Sequence, residues 1–87
     1  MSFYVYILQS EKDHSLYFGQ TSDLEARLKR HNAGLENYTR KKTPWKVLWH
    51  TAVNTRSEAV RFERKLKNMK STKRVLEFIE KSKVPPQ

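Results

Sequence analysis

Two runs of β-branched and aromatic residues stand close together at the start of the chain, "FYVYILQ" at 3–9 and "LYFGQ" at 16–20, separated by the polar stretch "SEKDHS". Each suits a strand and is bounded by turn residues, so residues 3 to 20 are predicted to form a β-hairpin. On the first strand Tyr4, Tyr6 and Leu8 share one face, and Phe3, Val5 and Ile7 share the other. With 87 residues the chain has room for one domain and one core, so everything downstream must close around this hairpin.

The segment "TSDLEARLKRHNAG" follows. Ser22 with Glu25 forms the pattern of a capping box, and Asn32 with Gly34 reads as a stop, predicting a helix over about 23–32. "LENYTRKKTP" reads as a polar, basic loop. "WKVLWHTAV" alternates Trp45, Val47 and Trp49 against Lys46, Leu48 and His50, which predicts a third strand. Thr55 with Glu58 is a second capping box, and Ala59, Phe62, Leu66 and Met69 trace a helical apolar stripe to about residue 69. Ser71 is placed to cap a last helix carrying Val75, Leu76, Phe78 and Ile79. The expected order is β-β-α-β-α-α, an α+β domain over residues 1–82 with a flexible tail at 83–87. Where the third strand enters the sheet is left open by the sequence.

Eighteen Lys and Arg face nine Asp and Glu, a net charge of +9. That excess attracts polyanions, of which nucleic acid is the commonest. The absence of cysteine excludes disulfides and thiolate metal sites. No apolar run reaches the ~20 residues of a membrane span. "FYVYIL" lacks the basic flank and cleavage site of a signal peptide. The expectation is a soluble cytoplasmic protein, with a monomer favoured.

On a helical wheel Arg27 and His31 fall in the same arc as Leu24 and Leu28, where a buried face is expected. Two readings are open: the arginine stem covers the core edge and the imidazole is a satisfied interior group, or both serve a site. Glu63, on the border of the second apolar stripe, is either an ion-pair residue for Arg27, Arg64 or Lys67, or a functional carboxylate. Tyr6 and Tyr17 are either amphipathic packing or site phenols, brought into one neighbourhood by the hairpin. Together, one arginine, one histidine, two phenols and one carboxylate on a cationic protein resemble a phosphodiester-cutting site. The carboxylate suits a hard divalent cation through oxygen, and a lone carboxylate supports one metal rather than two. The cation and the arginine would share the charge developing on phosphate, while a phenol or imidazole takes the proton of the attacking water. These five side chains are expected to converge on one concave surface. In "YTRKKTPWK", Arg40, Lys41 and Lys42 beside Tyr38 and Trp45 suit phosphate contact with base stacking, unless the run is simply solvated and Trp45 turns into the core. Lys67 adds to the cationic surface of the second helix.

The triplets "YVY" at 4–6 and "YFG" at 17–19, with "R-L-x-x-H-N" at 27–32 and a glutamate on a later helix, resemble the GIY-YIG nuclease superfamily. The likeness is greatest to its small stand-alone bacterial members and covers residues 3 to about 70. Tyr4 and Phe18 depart from the triplets that name the superfamily, and Gln20 stands where some active relatives have lysine. The resemblance implies a three-stranded antiparallel sheet flanked by two to three helices. It implies a single divalent cation, magnesium or manganese, on Glu63. It also implies Tyr6 and Tyr17 lining the site, one as base or water-orienter, with Arg27 on the scissile phosphate and His31 beside them. The expected function is a metal-dependent DNA endonuclease, structure-selective or non-specific, with branched or single-stranded DNA among its substrates. Two rivals remain at this point: a nucleic-acid-binding module with a decayed site, and a small basic protein that binds a protein or the ribosome.

Overall fold

The computed structural model describes residues 2–83. Of the tail expected at 83–87, Lys83 closes the last helix and residues 84–87 lie outside the described residues. Strand β1 (Phe3–Ser10) pairs antiparallel with β2 (Leu16–Thr21), so the hairpin forms as predicted. Strand β3 (Trp45–Val53) adds antiparallel to the free side of β1, making the order β2-β1-β3. Helices α1 (Leu24–Asn32), α2 (Arg56–Lys67) and α3 (Thr72–Lys83) complete the order β-β-α-β-α-α. Among the described residues no helix is long and apolar enough to cross a membrane.

The two faces of β1 serve two cores. Val5 and Ile7 pack with Ala59 and Leu66 of α2 and with Val75 and Ile79 of α3. Tyr6 and Leu8 pack with Leu24 and Leu28 of α1, with Tyr17, and with Trp45. Because alternate residues of a strand point oppositely, α1 covers one face of the sheet and α2 with α3 cover the other. The alternation expected along β3 breaks at Leu48. The pairing slips between Ile7 and Leu8, leaving Leu48 as an extra residue. Trp45 and Val47 therefore face the α1 core, while Leu48 and Trp49 face the α2–α3 core.

Local signals explain most helix ends, with one correction. The cap of α1 is Asp23, whose side chain accepts from the Ala26 amide at 3.1 Å, and not Ser22 of the expected capping box. Both residues are good caps, and the turn at Thr21 decides between them. Thr21 Oγ1 accepts from the Asp23 amide at 3.1 Å and so places Asp23 at the helix entrance. Thr55 caps α2 through the Glu58 amide at 3.1 Å, as its sequence predicts. Gly34 ends α1 with φ of 76°, a left-handed conformation that glycine adopts without strain.

Candidate active site

Edge strand β2 is where the two layers meet, for α1 contacts it from one face and α2 from the other. Tyr6 of the central strand pairs with Gly19 of β2, and its ring lies across that glycine. A Cβ at position 19 would stand 2.5 Å from Tyr6 Cζ and 3.0 Å from Cε2. Glycine is required here because a neighbouring ring occupies the space of a side chain. The sequence signal was visible, a glycine inside a strand, although what approached it was not.

Around the Tyr6 hydroxyl the expected residues assemble. Helix α1 turns its buried arc onto this face, bringing His31 into full burial with Nε2 3.5 Å from Tyr6 Oη. The Arg27 guanidinium acts on the same hydroxyl and favours its ionised form. The Tyr17 ring lies 4.8 Å from His31 and 6.5 Å from Tyr6. Glu63 joins from the opposite layer. Its charge acts on the Tyr6 hydroxyl, but its direct partner is Lys67, at 3.0 Å one helical turn on. Tyr6, Tyr17 and His31 thus gather by contact, and Arg27 and Glu63 are linked to Tyr6 through their charges. The arginine expected as one partner of Glu63 is instead held by Glu36, at 3.8 Å. Glu36 also takes Arg30 at 3.1 Å.

Three residues support this group without having been expected at the site. Thr39 is fully buried, and its Oγ1 lies 2.8 Å from His31 Nδ1. Asn32 bridges both backbone groups of Trp45, accepting from its amide at 2.6 Å and donating to its carbonyl at 3.0 Å. The end of α1 is thereby stapled to the start of β3. Glu36 is the third, anchoring the loop to both arginines. Nothing in a polar loop sequence marks Thr39 or Glu36, since their partners lie on α1 and are chosen by the path of the chain.

The loop corrects one expectation. Trp45 is 3% exposed, and its Nε1 donates to the Thr39 carbonyl at 2.9 Å. Its ring therefore offers no face to a base, because the slot between β1 and α1 needs a large apolar group there. Arg40 and Lys41 are exposed. Lys42 lies 3.6 Å from Asp13 and donates to Ser15 Oγ at 3.1 Å. Lys67 is engaged with Glu63.

Electrostatics assign protonation states. Burial pushes the Tyr6 phenol above the usual tyrosine range, against the opposing pull of Arg27, with the charges of Tyr17 and Glu63 pushing it further up. Tyr6 is a neutral phenol at neutral pH. Arg27, raised chiefly by its interaction with the Tyr6 hydroxyl, is a cation throughout. Its Nε is buried and finds no acceptor among the described residues. Burial holds the His31 imidazole below its usual range. Glu36 opposes this, while Arg27 and Arg30 add to it. A neutral imidazole with Nδ1 toward Thr39 leaves Nε2 facing the Tyr6 hydroxyl.

The depressed His31 value predicts a pH dependence of stability. The unfolded chain, titrating near 6.5, binds this proton more readily than the folded protein. The contribution is fully present above pH ~6.5 and is lost as pH falls toward the lower folded value. The melting temperature should fall between pH 7 and 5, and His31→Asn should flatten that fall. Parallel curves for the two proteins would remove His31 as the source.

Among the described residues no group of three or more His, Asp or Glu could hold a metal. Glu63 is a lone carboxylate, mostly buried, whose charge acts on the Tyr6 hydroxyl from the opposite layer. That donor set fits a hard cation with a shell completed by water and substrate phosphate, provided that Lys67 yields the carboxylate.

The chain is similar to known proteins along most of its length. The family model of the GIY-YIG catalytic domain matches residues 2–75. A UPF0213 protein of Staphylococcus haemolyticus is 40% identical over 78 residues, covering 88% of this chain and 93% of that one. A UPF0213 protein of Haloquadratum walsbyi is 42% identical over 66 residues, covering 75% and 73%. The solution NMR structure of a UPF0213 protein from Bacillus halodurans superposes with a TM-score of 0.56 at 34% identity, covering 99% of this chain and 89% of that one.

Proposed function

The chain belongs to the GIY-YIG catalytic domain family, a family of nucleases, and on that premise we propose that it is an endonuclease hydrolysing phosphodiester bonds in DNA with one divalent cation at Glu63. The observation that carries this reading is the Tyr6 hydroxyl, flanked by the Arg27 guanidinium and, at 3.5 Å, by a neutral His31 Nε2.

Tyr6 is too weak an acid to stand as a tyrosinate base. It acts by holding the attacking water through an oxygen lone pair while passing its own proton to His31 Nε2. One proton enters the pair from water and one leaves to the imidazole, so the phenol ends neutral. Thr39 fixes the ring of His31 for this exchange. Arg27 binds the scissile phosphate and stabilises the charge that grows on its oxygens, and the unpaired Nε gains an acceptor. Tyr17, with its ring 4.8 Å from that of His31, orients the phosphate. Magnesium or manganese held by Glu63 would supply a Lewis acid for the phosphate and its leaving oxygen. Arg40 and Lys41 extend the contact along the backbone without reading sequence.

The Lys67–Glu63 pair favours one rival, a DNA-binding module in which the lysine permanently takes the place of the cation. One assay separates the two. The purified protein is incubated with supercoiled, branched and single-stranded DNA in magnesium, in manganese and in chelator. Nicking that requires a divalent ion is expected. Salt-sensitive binding without cutting in either metal would make the protein the rival module.

A further inference from the structure

Two of the three large apolar side chains left exposed among the described residues, Leu35 at 61% and Tyr38 at 70%, stand on the loop between α1 and β3. Tyr38 is not loosely placed. On one side of it, the Glu36 carboxylate is tied to Arg30 and Arg27, and the Glu36 carbonyl accepts from the Thr39 and Arg40 amides at 3.2 and 3.1 Å. On the other side, Thr39 is buried, bound to His31 through its hydroxyl and to Trp45 through its carbonyl. The chain is clamped at Glu36 and at Thr39, and Tyr38 is an exposed side chain held between them. Its ring lies 5.8 Å from that of Tyr17, tilted by 40°. Arg40 and Lys41 stand exposed just beyond it.

An exposed aromatic ring next to Tyr17, on a loop that Glu36 ties to Arg27 and that carries two exposed cations, suits the stacking of a nucleobase. We propose that Tyr38 stacks on an unpaired base next to the phosphate bound at Arg27, so that the site takes single-stranded or locally unpaired DNA over intact duplex. This rests on the nuclease reading above and adds the substrate class to it. The selectivity has a simple cause. A base inside a duplex has both faces covered by its neighbours and shows only its edges, whereas an unpaired base turns a free face to the ring. Sequence preference is not expected, because every base has such a face.

The test is binding in chelator, where no cutting occurs, so its outcome does not depend on whether the protein proves to be a nuclease. Fluorescence anisotropy compares a short single strand with the blunt duplex of the same sequence, for wild type, Tyr38→Ala and Tyr38→Phe. The wild type should prefer the single strand. Tyr38→Ala should weaken single-strand binding by about ten-fold or more and leave duplex binding within about two-fold. Tyr38→Phe, which keeps the ring, should bind as wild type does. A 2-aminopurine in the strand should be quenched on binding to wild type and not to Tyr38→Ala. Equal losses on both DNAs, or no loss, would overturn the proposal, as would quenching that survives in Tyr38→Ala.

Discussion

Glu63→Gln is expected to reduce metal-dependent cleavage by at least about 10³-fold, since a cation at the phosphate is worth several kcal/mol of transition-state stabilisation. Glutamine keeps the shape of the side chain and one carbonyl oxygen but loses the charge that makes it a ligand for a hard cation. Stability should change little. The Lys67 ammonium that Glu63 holds is 57% exposed, and pairs of this kind contribute about 0–1 kcal/mol. The check combines a cleavage assay with a thermal melt and a manganese titration followed by NMR. In wild type, line broadening should centre on Glu63 and reach Tyr6, Tyr17 and Arg27. In the variant it should vanish from all four. Broadening that persists there, or that centres on Asp13 or Asp23, would move the cation elsewhere and leave Glu63 as an ion-pair residue.

Gly19→Ala should be the most damaging single methyl in the protein. The added carbon would stand 2.5 Å from Tyr6 Cζ, closer than any real contact. The Tyr6 ring cannot swing away, because it is 1% exposed and wedged against His31 and Tyr17. Overpacking of this kind costs about 1–3 kcal/mol. It also displaces the hydroxyl on which the proposed chemistry depends, so cleavage should fall at least as far as in Tyr6→Phe. A double-mutant cycle isolates the cause. Tyr6→Ala removes the ring, and adding Gly19→Ala to that background should cost almost nothing. If the alanine is equally costly in both backgrounds, the glycine is needed for something other than the path of Tyr6. On this account the second glycine of the motif supports the site through its lack of a side chain, a positioning role.

Element type and order were legible because the periods are clean. The hairpin showed as two short strand-like runs, and α2 as a capping box followed by an unbroken apolar stripe. Most of the candidate site was legible too, for a related reason. Arg27 and His31 sit among leucines on one helical arc, and two charged or titratable groups on a buried face conflict with packing unless something faces them. Glu63 stood out in a related way, as a carboxylate on the border of the second stripe. Such conflicts can be read from one dimension, because the helical period alone says where a side chain points.

Sequence alone determined the strands, the helices, the two faces of β1 and the residues too polar for the faces they occupy. Tertiary structure alone decided who meets whom. Placing β3 beside β1 is a choice among sheet edges that no local pattern records, and the extra residue at Leu48 reversed the facing of half that strand. The choice between Ser22 and Asp23 as cap turned on a hydrogen bond from the Asp23 amide to Thr21 Oγ1. The division between Trp45 and Tyr38, seven residues apart and both aromatic, turned on which of them found the slot beside Tyr6 and the Thr39 carbonyl. Glu36 became the partner of Arg27 because Gly34 reverses the chain after α1 and returns it along that helix. Each of these depends on contacts between segments whose relative placement is set by burial of the whole core, and burial is a property of the assembled layers.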